Sequence, residues 1–373
     1  MAGLYIHIPF CKKACSYCNF HFNTNVKAKP EVVKAIIKEI ELRKSEIDHA
    51  LDTVYFGGGT PSSLSNDELS SIFKAINKHF SLTHCKEITF EVNPDDVTPQ
   101  QLEFWHDLGI NRISMGVQSF YEEDLKYMGR FHKAEEAVIA VKYLIDSPFT
   151  NYTIDLIYGS PTLKDDMWRK NLDFVKQHKI PHISCYSLTV EPNTKLAYRI
   201  AKTKQNKPVD DDSARQFDIL QQWAKENNFT HYEISNLGLK ENQAIHNSNY
   251  WTGKSYLGIG PSAHSFNSNI RKWNVANNKS FIEKINRNET AYEQEDLAIE
   301  DQYNEMIMIG FRTKKGVSKK QIHTIFGENR LQGLLNEINQ IHPNYFTETP
   351  THIQLKPELW MLSDGIISDL FWI

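Results

Sequence analysis

For about the first 235 residues, short apolar runs alternate with longer stretches in which apolar residues recur every three or four positions. The first run occupies residues 4–10 and leads straight into a cysteine-bearing loop. After Pro30, Val33, Ile36, Ile37 and Ile40 fall at i, i+3, i+4 and i+7, the spacing of one buried helical face. A strand at 52–56 ends in three glycines, and a helix follows through Leu69, Ile72, Phe73 and Ile76. The unit repeats: strand 87–92 before a helix at 99–108, and strand 112–117 before a helix carrying Val138, Val141 and Ile145. Strand 152–157 leads to a helix around Trp168, Leu172 and Val175; strand 182–186 is followed by a long polar connection and a helix through Phe217 and Leu220. Six or seven strand–helix units in series predict an α/β fold, a parallel sheet curled into a partial or full (β/α) barrel.

The alternation stops near residue 236. The next segment is rich in Asn, Gly, Ser, Trp and Tyr, contains His246-Asn-Ser-Asn-Tyr-Trp251 and Gly258-Ile-Gly-Pro-Ser-Ala-His264, and reads as loops at the open side of the barrel. Beyond Glu295, a helix with Met306, Ile309 and Phe311 is followed by one from Ser318 and one with Leu331, Leu334, Leu335 and Ile338, then a strand pair and a last helix. Helices followed by a β ribbon predict a small winged-helix-like α+β module. The expected division is a barrel domain at 1–235, linking loops at 236–295 and the C-terminal module at 296–373. The helix at 329–341 sets Arg330 against Glu337 and carries no basic stripe, so the module is expected to pack against the barrel rather than on DNA.

A net charge of −4 and a pI near 6.4 point away from a nucleic-acid binder, which would show a basic face. The chain enters its first strand without a charged lead or a cleavage site, and no run reaches the roughly 18 apolar residues of a membrane span. A cytoplasmic protein is therefore expected. The five cysteines cannot all pair and three lie within eight residues, which argues for metal or redox use in a reducing compartment. Cys185, inside an apolar strand, and Cys85 read as structural.

Cys11, Cys15 and Cys18 form C-x3-C-x2-C with no fourth cysteine in the run. Three thiolates can hold a metal centre and leave one position open, as a site meant for chemistry requires; in a [4Fe-4S] cluster, one iron would be free for a non-protein ligand. The competing reading is a structural zinc closed by His7 or His21, but no second ligand pair stands at the spacing of a zinc finger or ribbon. Gly57-Gly-Gly-Thr-Pro61 is either a plain tight turn or a place where backbone approaches a ligand, and it lacks the P-loop lysine. In a parallel barrel, functional groups gather at the C-terminal strand ends, where the cysteines, the glycine run, Glu91, Gln118 and Asp155 all fall.

The cysteine triad with its preceding Tyr5-Ile-His-Ile-Pro-Phe, together with Gly57-Gly-Gly-Thr-Pro61, resembles the radical S-adenosylmethionine (SAM) superfamily. More narrowly, Glu91-Val-Asn-Pro94, Ser114-Met-Gly-Val-Gln-Ser119, Leu125-Lys-Tyr-Met-Gly-Arg-Phe-His132 and Ile154-Asp-Leu-Ile-Tyr-Gly159 resemble the group of oxygen-independent coproporphyrinogen III oxidases and haem chaperones. The resemblance covers nearly the whole chain. It implies a [4Fe-4S] cluster on Cys11, Cys15 and Cys18, with the SAM amino and carboxylate groups on the fourth iron and one electron splitting the sulfonium into methionine and a 5′-deoxyadenosyl radical. It further implies a SAM pocket lined by Tyr5, Tyr17, Gly58, Gly59, Thr60, Glu91, Gln118, Arg130 and Asp155.

Two departures separate the members of that group. The oxidase type carries a further cysteine two residues after the third and a longer N-terminal extension, whereas this chain has Phe20 there and only ten residues before Cys11. Residues 246–251 also match an H-N-x-x-Y-W stretch associated with the chaperones and haem, which makes His246 a candidate haem ligand. The resemblance thus implies a chaperone that binds haem, draws on an electron donor and delivers to acceptor haemoproteins, with radical decarboxylation of coproporphyrinogen III as the alternative.

Overall fold

Alternate side chains along the early strands are apolar and polar, and the computed structural model, which describes residues 2–203 and 205–373, shows where each set goes. In chain order the first half comprises β1 (Ala2–Ile8), α1 (Lys29–Arg43), β2 (Leu51–Gly58), α2 (Asn66–His79), β3 (Glu87–Val92), α3 (Pro99–Asp107) and β4 (Arg112–Gln118). It continues with α4 (Glu122–Met128), α5 (Ala134–Ile145), β5 (Tyr152–Tyr158), α6 (Asp165–Gln177), β6 (His182–Ser187), α7 (Lys195–Thr203) and α8 (Asp210–Glu226). The six strands lie side by side in sequence order, all parallel.

Their outward residues, such as Ile6, Phe56, Phe90, Met115, Leu156 and Ile183, are fully buried. Phe56 stacks on Phe73 of α2 at 5.1 Å and Phe90 packs on Trp105 of α3 at 5.2 Å. Each such side chain contributes about 1.5–3 kcal/mol, so the apolar core lies between sheet and helices. The inward set is polar: Tyr5, Tyr55, Glu91, Ser114, Asp155 and Tyr186. The barrel lumen is consequently a polar chamber rather than a core.

Residues 236–295, expected as loops, prolong the same sheet. β8 (Asn236–Gly238) adds antiparallel to β6, and β7 (Thr230–Glu233) pairs antiparallel with β8 beyond it; α9 (Ile245–Trp251) intervenes; β9 (Tyr256–Ile259) joins the other edge, parallel to β1. β10 (His264–Asn267), β11 (Ile270–Asn274), α10 (Asn278–Asn286) and β12 (Tyr292–Asp296) complete it. The resulting 12-stranded sheet has β7 and β12 as its two ends, so the barrel is partial. These strands escaped the sequence pattern because they are short and rich in Gly and Asn, and draw their stability from pairing with β1 and β6 rather than from propensity. Besides α9 and α10 within that segment, two helices of the first half also went unforeseen: α4 and, inside the polar connection, α7. In α5 the buried face is Ala137, Ala140, Val141 and Leu144, rotated from the one read through Val138 and Ile145.

The C-terminal segment runs α11 (Ile299–Gly310), β13 (Val317–Ser318), α12 (Lys319–Phe326), α13 (Glu328–Ile341), β14 (Phe346–Glu348), β15 (His352–Leu355) and α14 (Ser363–Ser368). Its sheet order is β13-β15-β14, a winged-helix-like succession. It packs on the barrel: Trp360 is fully buried against His231 at 4.8 Å, and Gln221 Nε2 donates to Pro357 O at 2.7 Å. Among the described residues, no helix is long and apolar enough to cross a membrane.

Candidate functional site

β1 delivers the chain to the C-terminal rim of the barrel, and the cysteine loop begins there. Its base is closed by Cys11 N to Asn23 O at 3.2 Å and Asn23 N to Pro9 O at 2.8 Å. Its middle is gripped by α4 and α7: Ser16 N donates to Met128 O at 2.8 Å, and Leu196 N donates to Ser16 O at 2.6 Å. All three thiols are free and half-buried. Burial pushes those of Cys11 and Cys18 up to about 11. Two donors point at sulfur: Thr60 Oγ1 at 3.4 Å from Cys11 Sγ and Arg130 Nη1 at 3.3 Å from Cys15 Sγ.

A cavity of about 440 Å³ opens beside the loop. Cys11, Cys15, Cys18, Tyr17, Gly58, Gly59, Thr60, Glu91, Gln118, Arg130 and Asp155 all line it, although they are spread over some 145 positions of the sequence. Arg130 is aimed by Asn93 Oδ1 at 2.7 Å and Gly116 O at 2.8 Å, yet its buried Nε has no partner among the described residues. Burial raises Glu91 to about 7 and Asp155 to about 6, despite hydrogen bonds from Tyr55 to the first and Ser114 to the second. Gln118 closes β4 in the left-handed region at φ 66.

The glycines serve the chain's own packing. A Cβ at Gly59 would stand 2.8 Å from Ile8 O, Phe10 N and Phe10 O, and one at Gly58 would stand 2.5 Å from the His7 ring. They let the ends of β1 and β2 close on each other while still bordering the cavity. Tyr5 is the one proposed SAM-pocket residue outside that lining: it lies deeper, hydrogen-bonded to His7 Nδ1 at 3.1 Å and stacked on Tyr55 at 6.0 Å. Asn93, Ser114 and Tyr186 line the cavity without having been singled out for it. Inward alternation on β4 and β6 is the signal that would have found Ser114 and Tyr186.

The donor set suits an iron–sulfur cluster with a cationic, carboxylate-bearing ligand. Neither histidine joins the thiols as zinc would need: His7 Nε2 is bonded to His21 O at 2.9 Å and His21 Nε2 to Asn278 Oδ1 at 2.8 Å. Among the described residues, no three His, Cys, Asp or Glu side chains gather closely enough to hold a metal ion, whereas a cluster with separate iron corners takes its thiolates further apart. The unpaired Arg130 Nε and the two carboxyls with raised pKa hold binding capacity that the protein itself leaves unspent.

His246 lies at the other end of the lumen, on α9 and not on a loop. It is 1% exposed, with Nδ1 bonded to Thr53 Oγ1 and Nε2 to Tyr250 OH, each at 2.8 Å, and its ring stacks on Tyr55 at 5.0 Å. Glu87 accepts from the first N–H groups of α9, Ile245 N at 2.7 Å and His246 N at 2.8 Å, and so fixes the helix as a stopper in the N-terminal end of the barrel. A buried imidazole with both nitrogens engaged is a structural histidine in this conformation, not a free axial ligand.

Comparison with known proteins gives a consistent picture. The Radical SAM superfamily matches residues 5–175. The chain is 33% identical over 324 residues to "Heme chaperone HemW" of Lactococcus lactis, covering 86% of this chain and 84% of that one. With the protein of the same name from Bacillus subtilis the identity is 30% over 343 residues, 91% and 90% of the two chains. Coproporphyrinogen III oxidase (HemN) from Escherichia coli, a radical SAM enzyme, superposes with a TM-score of 0.85 over 99% of this chain and 90% of that one, at 20% identity, a likeness of fold.

Proposed function

The chain belongs to the radical SAM superfamily and, within it, to the family of the heme chaperone HemW, and we propose that it binds haem and passes it to acceptor haemoproteins. Membership of the superfamily implies a [4Fe-4S] cluster and SAM. The observation that carries the chaperone reading is the relationship itself, at 30–33% identity across most of the chain's length. The cysteine loop agrees with it: position 20, where the oxidases of the resemblance carry a further cysteine, holds Phe20, 67% exposed at the mouth of the rim cavity.

In this reading Cys11, Cys15 and Cys18 hold the cluster and the rim cavity holds SAM. When bound, the cluster supplies the single electron that reductive cleavage of a sulfonium requires. Arg130, fixed by Asn93 and Gly116, offers its unused Nε–H to a carboxylate. Glu91 and Asp155 accept from ammonium or ribose hydroxyl donors, and a cationic ligand favours their ionised forms. Tyr17, Thr60, Gln118 and the Gly58-Gly59 turn complete the enclosure and restrict water.

The test is haem titration of anaerobically reconstituted protein beside a decarboxylation assay. Stoichiometric haem binding without conversion of coproporphyrinogen III is expected. Formation of protoporphyrinogen IX would replace this reading with the oxidase one.

A further inference from the structure

A second and larger cavity, about 990 Å³, opens at the opposite end of the barrel, between α9, the sheet extension and the C-terminal module. Its volume falls at the top of the roughly 300–1,000 Å³ typical of cofactor sites. One wall is aromatic: Tyr250 and Trp251 from α9, with Tyr256 from β9. The facing wall is apolar and comes from the C-terminal module: Met306 and Ile309 of α11 and Phe326 of α12. Two largely apolar faces suit a flat, hydrophobic ring system.

The polar groups of this cavity are few and distinctive. Lys314 and Lys315 are exposed on the turn before β13 and, among the described residues, have no carboxylate within salt-bridge distance. They are free to meet an anion. Arg271, by contrast, is already bound to Glu305 at 2.6 Å, so those two charges offset each other. Glu233, the other acid of the lining, is buried and raised to about 7 by burial, which limits its repulsion of an anionic guest. His352, the first residue of β15, also lines the cavity. Its Nδ1 is bonded to Thr351 Oγ1 at 2.9 Å, while Nε2 has no hydrogen-bond partner among the described residues. An imidazole fixed through Nδ1 with Nε2 open is arranged as metal-ligating histidines are. Burial and neighbouring Lys315 lower its pKa, which favours the neutral ring.

We propose that this cavity is the haem site, with His352 Nε2 as axial ligand to iron, Lys314 and Lys315 on the propionates, and the ring between Tyr250–Trp251 and α11. The proposal rests on the haem-chaperone reading and moves iron ligation from buried His246 to a residue of the C-terminal module. It gives that module a task in cargo binding, and it keeps the cargo at the far end of the barrel from the cluster.

The experiment titrates the full chain with haem, followed by its Soret band, and with iron-free protoporphyrin IX, followed by fluorescence. His352→Ala is expected to shift the Soret band and weaken haem about tenfold, the scale of a disturbed metal site, while leaving protoporphyrin IX affinity unchanged. Lys314→Glu with Lys315→Glu is expected to weaken both ligands. Both variants alter residues at least partly open to solvent, and circular dichroism checks their folding. Wild-type haem binding with unaltered spectra and affinities in both variants overturns this site and leaves the chaperone reading standing. Failure of the wild type to bind haem overturns the chaperone reading, and this site with it.

Discussion

The two ends of the barrel are built from the same strands and the same inward polar pattern, yet they treat their polar groups in opposite ways. At the N-terminal end the capacity is largely spent internally. Glu87 caps α9, Thr53 holds His246, and His182 is bonded to Thr153 Oγ1 and Tyr232 OH at 2.8 Å each, though Arg112 Nη2 has no partner among the described residues. At the C-terminal rim the capacity is kept. Among the described residues, Arg130 Nε and His132 Nδ1 have no partner, and Glu91 and Asp155 face a cavity with raised pKa values. A polar lumen becomes a binding site where its groups lack internal partners, and a structural seal where they have them.

The sharpest break of this contrast comes at the rim. Cys15→Ser should abolish the visible absorption and the iron content of anaerobically reconstituted protein, because one of three thiolates is lost. The fold should persist, since a half-buried thiol is replaced by a hydroxyl of similar size. Retention of iron and absorption in this variant would show that Cys15 does not serve the cluster.

The seal should respond in stability instead. Glu87→Ala leaves Ile245 N and His246 N unpaired inside the barrel and removes two charge-assisted hydrogen bonds. A loss of about 3 kcal/mol in urea-induced unfolding is expected, without loss of the cluster. A change below about 0.5 kcal/mol would mean that α9 is not held by this carboxylate.

The rim was legible in the sequence because its residues sit at the ends or on the inward face of strands that carry a clear period, as Cys11, Thr60, Glu91 and Gln118 do. Position along a strand is enough to place them. The seal was not legible, because its pairs join residues more than 150 positions apart: Thr53 to His246, and Glu87 to Ile245. Nothing local marks the helix that brings them together. The same reason hid the strands after residue 236, which depend on β1 and β6 for their partners. His246 was read by motif alone, and motif does not report burial.

The finest test lies within the rim itself, at Glu91. Its carboxyl is raised to about 7 from an ordinary value near 4.5 by burial, with the charge of Asp155 adding and the Tyr55 hydrogen bond opposing. The ionised form is therefore disfavoured in the folded protein relative to the unfolded chain. The stabilisation linked to this group is complete below about pH 4.5 and is lost as pH rises through about 7. With allowance for water in the cavity, the loss is on the order of 1–2 kcal/mol. Glu91→Gln removes the ionisation and keeps the shape, so the ligand-free variant should be as stable as the wild type at pH 5 and more stable at pH 8. Melting temperatures across that range measure it. The variant should also bind SAM more weakly, because the charge that destabilises the ligand-free protein is the one a cationic ligand relieves. If Glu91→Gln instead destabilised the ligand-free protein at pH 8, Glu91 would belong with Glu87 among the groups whose bonding serves the fold, and the contrast between the two ends would fail at a carboxylate that lines the rim cavity.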